Sequence, residues 1–313
     1  MEPHRQLESR LAEFKGYEAA LLFGSGYLAN TGAIAALAGK DEVVFSDQLN
    51  HASIVDGCRL SRAETFVYRH GDLEHLAWGL EQAAGRGALI VSDGVFSMDG
   101  DVAPLPELLE LARRHGCRLM VDEAHATGAI GPGGRGSVAA AGLSGEVDLV
   151  VGTLGKALGS YGAYVCANAE TVDFLVNTAR PFIFSTAPPP SSVAAAAAAL
   201  ELVSAQRVER LQSNAGRFRA ALAAEGLDAG LSQTQIVPIE VGEAERTMEL
   251  CERLLERGVF AQGIRPPTVP EGSSRLRFTV MATHRVSELE RAAKLVGGGA
   301  RELGLAPPQS VAA

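Results

Sequence analysis

Five residues of this chain suit acid–base or nucleophilic work, and each follows a short apolar run: His51, Ser97, Asp122, His125 and Lys156. Lys156 stands in Thr153-Leu154-Gly155-Lys156-Ala157-Leu158-Gly159, directly after the run from Val147 to Gly152. The run reads as a buried strand. The glycines after it suit neither strand nor helix, which puts the lysine on a tight loop at a strand end. Taken alone, Lys156 reads as a surface-loop lysine. The alternative is an amine held in a low-dielectric pocket to form a Schiff base. Few lysines compete for that role, since only four of the 28 basic residues are lysine.

The surroundings weigh between the two. Asp122 ends the run from Arg118, and His125 comes three residues later. Gly24-Ser25-Gly26-Tyr27 follows the apolar run from Ala19 to Phe23, and a helix is expected from near Leu28 or Asn30 to Leu37. Strand, glycine turn and helix N-terminus is an arrangement that offers free backbone N–H groups to a phosphate, although many turns look like it. An acid at a strand end, a nearby histidine, a lysine on a glycine loop and a serine–glycine turn together suit pyridoxal phosphate. The lysine would bind the aldehyde, the carboxylate would keep the pyridinium nitrogen protonated, and the turn and hydroxyls would hold the phosphate.

These residues need a scaffold that gathers strand ends. Leu7, Leu11 and Phe14 share one face of a helix expected over residues 6–15, which Gly16 stops. Strands are expected at 42–45, 65–68, 88–93, 118–122, 147–152 and 162–166, with helices at 72–84 and 104–115. This alternation predicts an α/β fold with a mostly parallel sheet covered on both faces, whose carboxyl ends line one edge. The run Pro188-Pro189-Pro190 ends regular structure, and Ser191 is expected to cap a helix to about Ser204. A further helix over 208–225 leads to strand 236–241, helix 244–257, strand 275–281 and helix 287–303, a smaller C-terminal α+β domain. The division falls at residues 1–207 and 208–313, and Pro307 to Ala313 reads as a loose tail.

Composition narrows the function classes. A net charge of −9 argues against a nucleic-acid partner. No stretch approaches the apolar length of a membrane span. The beginning lacks the basic and apolar regions of a signal peptide. Cys58, Cys117, Cys166 and Cys251 are far apart and without metal-ligand spacing, so no metal is expected and a reducing cytoplasm is the natural compartment.

Val121-Asp122-Glu123-Ala124-His125-Ala126-Thr127-Gly128, Thr153-Leu154-Gly155-Lys156-Ala157, Asn50-His51-Ala52-Ser53, residues 95–101 from Val95 to Asp101, and Phe184-Ser185-Thr186 occur in that family's own set of motifs when the chain is compared with the α-oxoamine synthases. The chain resembles these fold-type I pyridoxal-phosphate enzymes from about His4 to about Leu303. The resemblance implies a seven-stranded, mostly parallel sheet between helices and a C-acyltransferase activity, in which an amino acid condenses with an acyl thioester and loses carbon dioxide. The stretch from Ile264 to Gly272, followed by Arg275-Leu276-Arg277, implies L-alanine and pimeloyl-CoA or pimeloyl–acyl carrier protein as substrates.

Roles are carried over by the same resemblance. Lys156 is expected to hold the cofactor and move the substrate α-proton, and Asp122 to pair with the pyridinium nitrogen. His125 would hydrogen-bond the ring's phenolic oxygen, His51 would stack on the ring and donate a proton, and Ser97 would contact the ring oxygen. Gly26, Tyr27 and Thr153 would hold the phosphate. Ser185 and Thr186 would reach the phosphate of a second subunit, which implies a homodimer with shared active sites. Arg277 is the first choice for the substrate carboxylate, since its planar fork can bind both oxygens, and Arg275 is the alternative on the same strand face. Thr268 would contact the acyl group. The family also carries a further N-terminal segment, with a glycine-rich stretch and a substrate-contacting arginine, ahead of the helix expected at Gln6. Without it, cofactor chemistry is expected to survive and acyl-substrate binding to weaken. Two alternatives stay open: a related synthase using glycine or serine, and a truncated non-catalytic remnant.

Overall fold

The computed structural model describes residues 1–305, so the expected tail from Pro307 to Ala313 lies outside the described residues. Seven strands, β1 (Ala19–Phe23), β2 (Val43–Asp47), β3 (Glu64–Tyr68), β4 (Gly87–Asp93), β5 (Arg118–Asp122), β6 (Leu149–Thr153) and β7 (Ala163–Ala167), form one sheet in the order β1-β7-β6-β5-β4-β2-β3. β7 runs antiparallel to both neighbours, and the other pairs are parallel. Between the strands lie α1 (Glu2–Lys15), α2 (Gly26–Leu37), α3 (Ala52–Ser61), α4 (Leu73–Gln82), α5 (Leu105–His115), the short α6 (Ser137–Ala140), α7 (Ala169–Thr178), the short α8 (Arg180–Ile183) and α9 (Pro190–Leu202).

The inner strands are apolar at successive positions because both faces of the sheet are covered there, while the edge strand β3 is largely exposed. Along β5, Leu119 and Val121 face one core and Met120 the other; along β6, Val150 opposes Leu149 and Val151 in the same way. The first core packs Leu7 and Leu11 of α1, Leu76 of α4, Leu108 of α5 and Val193 of α9. The second packs Ala33 and Ile34 of α2, Ile54 of α3 and Leu175 of α7.

Several helix starts differ from expectation. α1 begins at Glu2, four residues before Gln6, and the helix expected from Val208 begins three residues earlier, at Ala205. α2 begins at Gly26 rather than near Leu28 or Asn30, because the Ser25 side chain accepts from Leu28 N at 3.2 Å and caps the helix. α9 begins at Pro190, with Ser191 inside its first turn and no side-chain cap. Proline at a first helical position forfeits an N–H that would have had no intrahelical partner, so the proline run starts this helix as well as ending the preceding structure.

The chain divides into two compact units. Met1–Phe96 and Val102–Ala205 form the first; Ser97–Asp101 and the chain from Gln206 form the second. In the second unit β8 (Ile236–Gly242), β9 (Gln262–Ile264) and β10 (Ser274–Thr279) make an antiparallel sheet in the order β8-β10-β9. It carries α10 (Ala205–Ala224), α11 (Ala244–Glu256) and α12 (Val286–Glu302). Ser97–Asp101 joins this unit through Gly100, whose carbonyl accepts from Gln233 N at 3.0 Å and Thr234 Oγ1 at 2.9 Å.

Leu11 is fully buried where α1 meets the sheet. Leu11→Ala is expected to cost about 2–5 kcal/mol, read by urea denaturation, because the cavity it leaves is walled by strands that cannot collapse. A loss under about 1 kcal/mol would contradict this packing.

Candidate active site

The carboxyl ends of β2, β4, β5 and β6 adjoin one another in the sheet, and each delivers a polar side chain or loop. Asp122, the last residue of β5, is buried. Its Oδ1 accepts from Ala124 N at 2.8 Å and its Oδ2 from Asn30 Nδ2 at 2.6 Å. A carboxylate has about four acceptor sites, and two are used here, both by neutral donors. Among the described residues no ion pair reaches Asp122. A buried anion served only by neutral donors is costly, and a protonated pyridinium is the kind of partner that would offset the cost.

Asn30 links Asp122 to His51. Its amide also donates to Ser53 Oγ at 2.9 Å, and Ser53 Oγ lies 2.7 Å from His51 Nδ1. Having accepted from Asn30, the Ser53 hydroxyl donates to Nδ1, which also accepts from Ser53 N at 3.2 Å. Two donors on Nδ1 leave the neutral-ring proton on Nε2. His51 as a residue is exposed, yet enough protein surrounds the ring to draw its pKa below the usual 6.5; desolvation is the main cause, opposed by the charge of Asp122.

Asp93 ends β4 and stands opposite Asp122 in the register. Its Oδ2 accepts from His51 N at 3.1 Å, and its own N–H donates to Asn50 Oδ1 at 2.8 Å. Burial, then the charge of Asp122, holds the Asp93 carboxyl well above the usual carboxylate range. Asn50 also donates to Ser46 Oγ at 2.9 Å and Val91 O at 2.8 Å, which stitches the end of β2 to β4 and sets where His51 begins α3.

Lys156 lies on the loop between β6 and β7, closed by Leu154 N on Gly162 O at 2.9 Å and Ser160 N on Leu154 O at 2.8 Å. Its Nζ is 2.8 Å from His125 Nε2. Gly128 permits this approach: with φ at 77° it sits in the left-handed region, and a Cβ there would stand 2.8 Å from that of Ala157. The low-dielectric pocket expected around the amine is not what this chain builds by itself. The Lys156 side chain is exposed, because the small residues of its loop leave little to cover it.

The remaining expected residues are placed as follows. Gly26 is the first residue of α2, and Tyr27 is exposed with its hydroxyl donating to Asp56 Oδ2 at 2.8 Å. Thr153 Oγ1 donates to Gly162 O at 3.2 Å and accepts from Gly155 N at 3.1 Å. Ser185 and Thr186 are exposed and line a cavity of about 530 Å³ with His4, Glu8 and Phe182. In the second unit, Ser97 is buried and its carbonyl accepts from Arg277 Nη1 at 3.0 Å. Arg275 is committed to an ion pair with Asp99. Arg277 has no carboxylate partner among the described residues, its Nε is buried and unbonded, and burial lowers its pKa. Thr268 is exposed in the turn after β9.

Sequence reasoning missed Asn30, Ser53 and Asp93. Signals existed for two of the three: Asn30 is a poor helix former inside a helix, and Asp93 ends a strand as Asp122 does.

His51 is expected to be neutral, with its proton on Nε2, and to titrate below 6.5 in ¹⁵N-edited NMR of the histidine rings. As the pH falls through that midpoint, Nδ1 gains a proton and can no longer accept from Ser53, so this contact's stabilisation is lost toward acid. An Nδ1–H tautomer, or a midpoint at or above 6.5, would contradict the geometry.

The family model described as "Aminotransferase class I and II" matches residues 1–296. An 8-amino-7-oxononanoate synthase of Geobacter sulfurreducens is 56% identical over 310 residues, which cover 97% of this chain and 79% of that one. A serine palmitoyltransferase variant from S. paucimobilis, solved with bound PLP–myriocin, is 35% identical with a TM-score of 0.93 over 97% of this chain and 78% of that one. An 8-amino-7-oxononanoate synthase structure from Francisella tularensis is 29% identical with a TM-score of 0.85 over 97% of this chain and 88% of that one. The chain belongs to the aminotransferase class I and II family, on its α-oxoamine synthase branch.

Proposed function

We propose that this protein is a pyridoxal-phosphate-dependent C-acyltransferase that condenses L-alanine with a pimeloyl thioester, carried on CoA or acyl carrier protein, to give 8-amino-7-oxononanoate for biotin synthesis. The observation that carries this reading is the buried Asp122 carboxylate, held by Asn30 and Ala124 with no ion pair among the described residues, on the strand next to the one that leads to Lys156. The relative from Geobacter sulfurreducens supplies the specific chemistry.

When bound, pyridoxal phosphate supplies an aldehyde that captures amines and a ring that withdraws electrons. Asp122 keeps the ring nitrogen protonated by offering an anion that Asn30 and Ala124 hold in place. His125 hydrogen-bonds the phenolic oxygen and, through the contact with Lys156, orients the amine. Lys156 Nζ would remove the α-proton of alanine, and His51, with its proton on Nε2, would face the ring and supply a proton during the condensation. Ser97 contacts the ring oxygen; Gly26, Tyr27 and Thr153 hold the phosphate. Arg277 receives the amino acid's carboxylate, since Asp99 already occupies Arg275; holding the carboxylate fixes the α-proton for Lys156, a proximity effect. Thr268 contacts the acyl group. Ser185 and Thr186 reach the phosphate of a second subunit, so the working form is a homodimer in the cytoplasm. No helix among the described residues is long and apolar enough to cross a membrane.

The fold's likeness to serine palmitoyltransferase favours a second reading, a synthase with serine as donor. Three amino acids separate the readings. With PLP and pimeloyl-CoA or pimeloyl–acyl carrier protein, thiol release is expected with L-alanine and not with glycine or serine; release with serine alone would favour the second reading. Borohydride should fix the cofactor to Lys156, found by peptide mass spectrometry, and Lys156→Ala should lose both the visible band and turnover. Wild-type protein that carries no visible band and is unchanged by borohydride would overturn both readings.

A further inference from the structure

Directly after Asp122 comes a second acid, Glu123, which is fully buried and lies outside the roles above. Its carboxylate pairs with Lys15, which is equally buried at the end of α1. The other oxygen, Oε1, accepts from Ser137 Oγ at 2.8 Å and Val138 N at 2.7 Å, and Gly136 gives the carboxylate room, since any Cβ there would collide with it. Lys15 also donates to Arg135 O at 2.6 Å. The Glu123 backbone is tied as closely: its N–H donates to Val151 O of β6 at 2.7 Å, and its carbonyl accepts from Ala126 N at 3.0 Å and Thr127 N at 2.9 Å. Glu123 is therefore the joint between the turn that carries Asp122 and His125 and the strand that leads to Lys156.

We propose that Lys15 and Glu123 are a positioning pair, in which α1 supplies the cation that holds the Asp122–Gly128 turn in register with the Lys156 loop. Buried ion pairs are often replaced by apolar residues at no loss of stability, so stability alone is a weak reason for this one. Removing one partner, by contrast, leaves a buried charge with no compensation, and the structure must shift to hydrate it. Here the segment that would shift is the turn. The consequence for turnover rests on the functional reading above; the consequence for the turn does not.

The test compares Lys15→Met, Lys15→Arg and the double variant Lys15→Met with Glu123→Gln. Amide hydrogen exchange by mass spectrometry is read with and without PLP, and kcat and KM for L-alanine are measured in the PLP-loaded protein. In Lys15→Met, exchange is expected to quicken at residues 123–128 while β2–β4 keep wild-type protection. kcat should fall about tenfold to a hundredfold with KM for alanine little changed, the mark of misplaced reacting groups. Lys15→Arg keeps the charge, the double variant removes both charges, and both should return exchange at the turn toward wild type. Should Lys15→Met fail to fold, these two variants still decide: a double variant whose turn at 123–128 exchanges faster than in wild type, or a Lys15→Arg variant loosened there, would overturn the proposal. Unchanged exchange at 123–128 in Lys15→Met, or loosening spread evenly over the unit, would overturn it as well. Wild-type protein without a visible band would sink the functional reading and leave the exchange result to judge the pair.

Discussion

Everything at this site depends on holding a carboxylate, Asp122, in a buried place with neutral donors alone. The fold makes that costly arrangement possible by attaching the acid to the end of a central strand, where the β-ladder already fixes its backbone. Asn30 and Ala124 then fix its two oxygens. Asp93 beside it would add a second negative charge, and burial together with Asp122 works against that ionisation. Asp122 itself keeps acceptor capacity for a cation, since only two of its carboxylate's acceptor sites are taken.

The polar groups around that anion form a continuous path. Asp122 is bonded to Asn30, Asn30 to Ser53, and Ser53 to His51, whose backbone N–H returns to Asp93. The path sets the His51 tautomer as well as its position, because both Ser53 donors point at Nδ1. On the other side, His125 and Lys156 meet at 2.8 Å across loops that Gly128 lets come close. For His51 and Asp93 the neighbours as well as burial set the direction in which each pKa moves.

The scaffold was legible in the sequence because apolar runs alternate with helical periods, and both-face burial leaves little choice of sheet type. Asp122, His125, His51 and Lys156 were legible for the same reason, since each follows a strand whose end could be foreseen. Asn30, Ser53 and Asp93 were not, because their roles depend on distances between elements far apart in the chain. The start of α2 was missed because Ser25 caps the helix three residues ahead of Leu28, before its buried residues begin at Ala29. Arg275 and Arg277 are equivalent as residues on one strand. Only the ion pair between Arg275 and Asp99 separates them, and no pattern in the sequence marks Asp99 as its partner.

The most direct test of the central claim is the protonation state of the cofactor nitrogen beside Asp122. With pyridoxal phosphate labelled at the ring nitrogen and bound to the protein, ¹⁵N NMR should report a protonated pyridinium at neutral pH. The signal should move to the unprotonated range in Asp122→Asn, with wild-type folding retained. An unprotonated nitrogen in the wild type, or a signal that Asp122→Asn leaves unchanged, would contradict the account.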